Sequence, residues 1–199
     1  MKQKLLVGLV VILMILTGCH NITNKSEEDI SKNNEDEIKK AIIVFDNKYR
    51  LVFNKGQEKS EIDQNTLNDA KPLLIGNFEK VKNKINTEKS INILPLSYTL
   101  TTNQNGKFIS FNLFIVNTSS ENIYNFKTDT SFSFVGNPYE FSYITEMKDI
   151  GMDKLLNNEG VIVSYDQKIT DQPEEYFNNL KLEDININLS NLEIENNKL

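Results

Sequence analysis

The chain contains one cysteine, one histidine, one arginine and no tryptophan. A single thiol cannot close an intramolecular disulfide, so the fold has to be held by its core. One imidazole rules out a histidine pair on a metal, and no HExxH, GxSxG, GxxxxGKS/T or GxGxxG pattern is present. No cofactor and no metal is expected. Positive charge is also short: 22 basic residues against 28 acidic ones leave a formal charge of −6. Without a basic stripe a nucleic-acid partner is not expected. A membrane-spanning run is missing too. Leu5 to Leu16 is an apolar stretch of twelve residues, too few to cross a hydrocarbon core of about 30 Å as a stable helix.

That short run is nevertheless the most informative stretch. Lys2 and Lys4 precede it and Leu16-Thr17-Gly18-Cys19 follows, the layout of a secretory signal and not of an anchor. The four residues resemble the lipobox of bacterial lipoproteins, with small residues ahead of the chain's lone cysteine. The resemblance implies cleavage between Gly18 and Cys19, removal of residues 1–18, and a diacylglyceryl group on Cys19 that holds the protein on the extracytoplasmic face of the cell membrane. Two acyl chains anchor stably, at about 0.8 kcal/mol per buried methylene. Without Lys2 and Lys4, 20 basic residues face 28 acidic ones, a formal charge of −8. The lipid, not the charge, then does the holding.

Residues 20–37, HNITNKSEEDISKNNEDE, hold only Ile22 and Ile30 as large apolar groups, too little to offset the entropy of ordering. Residues 19–37 therefore read as a lipidated cysteine and flexible tether. Eighteen coil residues span roughly 23 Å. His20 sits at the start of the tether, a poor place for catalysis.

Residues 38–88 read as a small hairpin-helix region. Ile42 and Val44, then Tyr49, Leu51 and Phe53, alternate around Asp46-Asn47-Lys48 and predict a hairpin. Thr66 to Ile85 predicts a helix broken near Pro72, with Phe78, Val81 and Ile85 on one face. Lys80, Lys82 and Lys84 then point to solvent.

Residues 89–199 are predominantly β in pattern. Leu94, Leu96, Tyr98 and Leu100 fall on one face of a strand; Ile109, Phe111, Leu113 and Ile115 fall on one face of the next. Asn103-Gln104-Asn105-Gly106 between them predicts a tight turn and an antiparallel pair. Further strands are expected at 123–126, 131–135, 139–144 and 161–165, with a helical turn over 152–157 closed by Gly160. Asp171 and Pro173 mark a helix start. In the last strand Ile185, Ile187 and Leu189 hold odd positions and Leu192 and Ile194 even ones, which predicts a bulge at Ser190-Asn191.

The stretch INILPLSYTLTTNQNGKFISFNLFIVNTSSENI resembles the opening of immunoglobulin-like domains of secreted Gram-positive proteins, without the Cys and Trp marks of antibody domains. The resemblance implies a mainly β, α+β protein overall: an antiparallel immunoglobulin-like β-sandwich preceded by a short hairpin and helix. Such folds host many functions.

Candidate chemistry is sparse. Asp63-Gln64-Asn65 opens like a calcium loop, but Leu67, Asn68 and Leu74 stand where a ligand, the turning glycine and the bidentate glutamate belong. Glu174 and Glu175 match helix-start electrostatics better than a glycosidase pair. Phe132, Phe134, Tyr139, Phe141, Tyr143, Tyr165, Tyr176 and Phe177 form either core or a ligand platform. The expected function is a non-catalytic binding module at the bacterial cell surface, using loops such as 117–122 and 136–139 to engage an envelope protein, a wall polymer or a host molecule. The alternative is a lipid-tethered enzyme acting on the cell wall.

Overall fold

The computed structural model describes residues 39–169, 172 and 174–197. Gly18, Cys19, His20, Asp171 and Pro173 lie outside the described residues. The protein is mainly β, with its strands in two sheets. The strands are β1 (Ile43–Phe45), β2 (Tyr49–Leu51), β3 (Ile91–Asn103), β4 (Gly106–Asn117), β5 (Asn125–Phe134), β6 (Asn137–Glu146), β7 (Glu159–Lys168) and β8 (Ile185–Glu195). The helices are α1 (Glu61–Asp69), α2 (Lys71–Val81) and the short α3 (Glu174–Asn178). One sheet has the order β1-β2-β7-β4-β3 and the other β6-β5-β8.

The β1–β2 hairpin forms where the sequence places it. Asp46 and Asn47 carry positive φ angles of 50° and 53°, which their short polar side chains tolerate. The β3–β4 hairpin turns at Gln104 and Asn105; the positive φ falls on Gly106 (124°), and Asn103 Oδ1 accepts from the Asn105 N–H. Helix α1 starts earlier than predicted, at Glu61, because Ser60 Oγ accepts from the Asp63 N–H and caps it. The break near Pro72 is present, and α2 ends at Val81. Ile85 therefore lies beyond the helix.

Two predicted elements are corrected. Residues 152–157 form no helical turn; Leu155 instead makes a bridge with Ile123. The expected segments 123–126 and 131–135 are joined by the single strand β5. A third correction concerns parity. Leu94 pairs with Phe114, whereas Tyr98 pairs with Phe111, because the register shifts between Pro95 and Ser97. Proline has no N–H for the ladder, and the bulge there sends Leu94 and Tyr98 to opposite faces. The slip predicted at Ser190-Asn191 does occur: Asn191 has φ 52°, and the β5–β8 register shifts between Lys127 and Asp129.

Phe111 and Phe114 point to opposite faces of the five-stranded sheet, and each meets a separate aromatic cluster. On one face Phe114 lies 5.2 Å from Phe45, which stacks on Phe78 of α2 at 4.5 Å. On the other, Phe111 lies 5.2 Å from Phe132 of β5. One side of β4 is thus covered by α2, with Phe45 from the sheet's own first strand packed between them, and the other by the second sheet. Residues 91–96, 113–117 and 159–162 are buried throughout, because only that end of the sheet is covered on both faces.

One pairing is parallel. Arg50 and Leu51 of β2 align with Glu159 and Gly160 of β7. Gly160 is required there for its lack of a side chain: a Cβ would sit 2.4 Å from the Ile115 oxygen and 2.7 Å from the Phe114 ring. Its place is in the strand, not at the end of a helix.

Candidate functional site

Beyond the helices, the outer face of the five-stranded sheet is polar. Ser97, Asn112 and Ser164 lie side by side in the register of β3, β4 and β7. Asn112 Nδ2 donates to Ser97 Oγ at 2.8 Å, and Ser164 Oγ donates to Asn112 Oδ1 at 2.7 Å. In the next row Ser110 Oγ donates to Asp166 Oδ1. The ladder orients the Asn112 amide and leaves Ser164 exposed at its end.

A groove of about 410 Å³ lies beside this ladder, with Asn112 and Ser164 on one side and Asn54, Gln57, Asp63 and Thr66 on another, while Asp149 also lines it. The alternating pattern makes β4 and β7 present polar side chains outward. The cap at Ser60 starts α1 so that Asp63, Thr66 and Leu67 border the groove. Gln57 is fixed within it, since its Nε2 donates to the Ile162 carbonyl at 2.9 Å and its Oε1 accepts from the Asn54 N–H at 3.0 Å. The lining contains two carboxylates, Asp63 and Asp149, and no lysine or arginine. Such a site favours a partner with hydrogen-bonding groups and positive charge.

On the other flank of α2, Asn77 is buried and donates to the Leu96 carbonyl at 2.7 Å. Lys84, expected to point to solvent, instead donates to the Ile185 carbonyl at 2.9 Å and to Asn186 Oδ1 at 3.2 Å. Burial lowers its pKa below the usual lysine value, against Asp184 and Glu183, which raise it. Asn77, Gln57 and Lys84 each cover one backbone carbonyl of a strand edge, which limits pairing with other chains.

Glu159 is the one carboxylate among the described residues that is deeply buried, at 2% exposure. Burial raises its pKa; the Arg50 guanidinium, with Nη1 3.4 Å from Oε2, works in the opposite direction. Arg50 also donates to the Lys39 carbonyl. This pair joins β2 to β7. Among the described residues no group of three or more His, Cys, Asp or Glu side chains is arranged to hold a metal ion.

Two loops expected to bind partners are tied inward. Asn117 is fully buried; its Nδ2 donates to the Glu121 and Leu155 carbonyls, and its Oδ1 accepts from Ser119. Thr118 Oγ1 donates to the Lys89 carbonyl and accepts from Asn92. At the other end Tyr139 donates to the Lys168 carbonyl and Tyr176 to that of Val135. The aromatic set is core in its contacts: Phe132 stacks on Phe141 at 4.6 Å and Tyr143 on Tyr165 at 3.6 Å. Ring faces used against one another are not open to a ligand. Burial also raises the pKa of the Tyr143 hydroxyl.

No motif in the sequence marks the groove residues. Asp63 falls in the sequence within a failed calcium loop, and Asn112 sits between the apolar positions Phe111 and Leu113. The available signal was the run of outward polar positions on β4 and β7.

No family model matches the chain, and no curated protein is similar to it in sequence. Among solved structures the chain is similar to the Salmonella enterica trimeric lipoprotein SadB, at 16% identity over 84% of this chain and 92% of that one, with a TM-score of 0.28. A likeness at that level carries no argument about fold, assembly or activity.

Proposed function

We propose that the protein is an extracytoplasmic lipoprotein, anchored through Cys19, whose folded body is a non-catalytic binding module at the bacterial cell surface. The observation that carries the reading is Leu16-Thr17-Gly18-Cys19, which follows a short apolar run and contains the chain's lone cysteine. No helix among the described residues is long and apolar enough to cross a membrane. The polar groove supports a binding role, because its amide, hydroxyl and carboxylate groups face solvent beside a rigid sheet.

The same reading takes the body as an immunoglobulin-like sandwich. Strand order supports it: β3-β4-β7 against β6-β5-β8 corresponds to A-B-E against C′-C-F of that architecture, with β1 and β2 added beside β7.

Crosslinking on intact cells followed by mass spectrometry tests the function. Recovery of a defined envelope, wall or host partner is the expected result. Cleavage of peptidoglycan by the purified protein, with no partner recovered, overturns it. Replacing Cys19 by Ala is expected to abolish lipid labelling and release the protein from the membrane; unchanged labelling refutes the anchor.

A further inference from the structure

The outward carbonyls of β7 are covered one after another, except at one place. The Asn158 carbonyl accepts from the Arg50 N–H at 2.7 Å and that of Gly160 from the Val52 N–H at 3.0 Å. The Ile162 carbonyl accepts from Gln57 Nε2 at 2.9 Å, and that of Lys168 from the Tyr139 hydroxyl at 2.9 Å. These even-numbered residues face away from β4, so Ser164 and Asp166, of the same parity, do so as well. Among the described residues no group meets their outward backbone N–H and C=O. The gap begins where β2 ends and the chain leaves β7. It opens on the groove that Ser164 and Asn112 line, with Asp63 and Asp149 beside it.

We propose that this open stretch of β7 binds an extended polypeptide segment carrying basic side chains, which joins the sheet as a further strand beyond β2. The proposal deepens the binding-module reading and rests on it. Backbone hydrogen bonds at Ser164 and Asp166 hold the segment, and side chains on one of its faces enter the groove. The basic character follows from the lining: two carboxylates, no cation, and the nearby Lys148 already paired with Glu146. Side chains cover the edge carbonyls of Leu96, Ile162 and Ile185, whereas Ser164 and Asp166 stand open beside a concave, acidic surface.

The test uses the full chain, 15N-labelled and purified in mild detergent, with an acetylated and amidated heptapeptide of alternating threonine and lysine. The expected result is amide shifts at Ser164 and Asp166 with smaller ones at Asp63 and Asp149. Binding should disappear when alternate peptide bonds are N-methylated, or when glutamate replaces lysine. Asp63→Asn combined with Asp149→Asn is expected to weaken binding about fivefold at low salt and little at high salt. Ser164→Pro removes one outward N–H and is expected to weaken it further; should that variant not fold, the aspartate pair still decides. Shifts confined to β3 or β8, unchanged binding by the N-methylated peptide, or no shift at millimolar peptide overturns the proposal. If cell crosslinking still recovers a partner while the peptide fails, this site is wrong and the binding role stands. If the purified protein cleaves peptidoglycan and no partner is found, the broader reading fails whatever the peptide does.

Discussion

Replacing Arg50 by Met tests whether a buried charge pair fixes the first hairpin to the main sheet. Glu159 is 2% exposed, and its Oε2 accepts no hydrogen bond among the described residues; Arg50 Nη1, at 3.4 Å, is its nearest compensation. Methionine keeps most of the apolar stem but leaves the carboxylate unpaired. Breaking a buried pair from one side costs about 3–5 kcal/mol. The Arg50 side chain is 23% exposed, so water already shares in its solvation and the lower end, about 3 kcal/mol, is expected. Glu159→Gln removes the buried charge and lets Arg50 hydrate, at about 1 kcal/mol. The two together should cost less than their sum, with a coupling of about 1–2 kcal/mol.

The same pair predicts a pH dependence. Burial raises the Glu159 pKa above 4.5 more than Arg50 lowers it. The native state therefore binds this proton more tightly than the unfolded chain does. Its stabilising contribution is complete below the unfolded value and is lost as pH rises through the folded pKa. Relative to Glu159→Gln, wild type should lose stability as pH rises through that window. Arg50→Met should extend the loss to higher pH. Urea unfolding followed by tyrosine fluorescence and circular dichroism at a series of pH values measures both effects. A cost below about 1 kcal/mol for Arg50→Met, or a pH-independent difference between wild type and Glu159→Gln, refutes the reasoning.

Three further outcomes are expected in the same unfolding assay. Gly160→Ala places a methyl group 2.4 Å from the Ile115 oxygen and should cost about 1–3 kcal/mol or more; wild-type stability would mean that β4 and β7 are not so close. Phe78→Ala empties the contact with Phe45 and Phe114 and should cost about 3–5 kcal/mol, whereas a cost under about 1 kcal/mol would show that α2 is not packed on the sheet. Asn117→Ala removes one of two donors from each of the Leu155 and Glu121 carbonyls and takes away the acceptor of the Ser119 N–H, and should cost about 1–3 kcal/mol; a neutral result would mean that this loop is free to serve a partner.

Local features were the most legible. Asp46-Asn47 gave the first hairpin, alternation around Asn103–Gly106 gave β3 and β4, and the shift from odd to even apolar positions after Leu189 gave the bulge in β8. Each depends on residues that are neighbours in the chain. Local pattern misleads where a distant partner decides the outcome. Leu155 looked helical beside its neighbours, yet Ile123 draws it into a bridge. Leu94 and Tyr98 looked like one face until the bulge at Pro95 separated them. Lys84 looked solvated, but β8 presents an edge carbonyl within its reach.

The sequence by itself determined the order of a short apolar run before Leu16-Thr17-Gly18-Cys19, on which the proposed anchor rests, the β-rich character of the second half and most of its turns, because residue order, periodicity and turn chemistry are encoded in adjacent residues. Only the tertiary structure decided that β2 joins β7 in parallel, that Gly160 must lack a side chain, that Arg50 faces Glu159, and that Ser164 and Asp166 lie on an open edge beside Asp63 and Asp149. Those facts depend on which strands become neighbours. Burial and close packing settle that between segments far apart in the chain, and no local pattern records it.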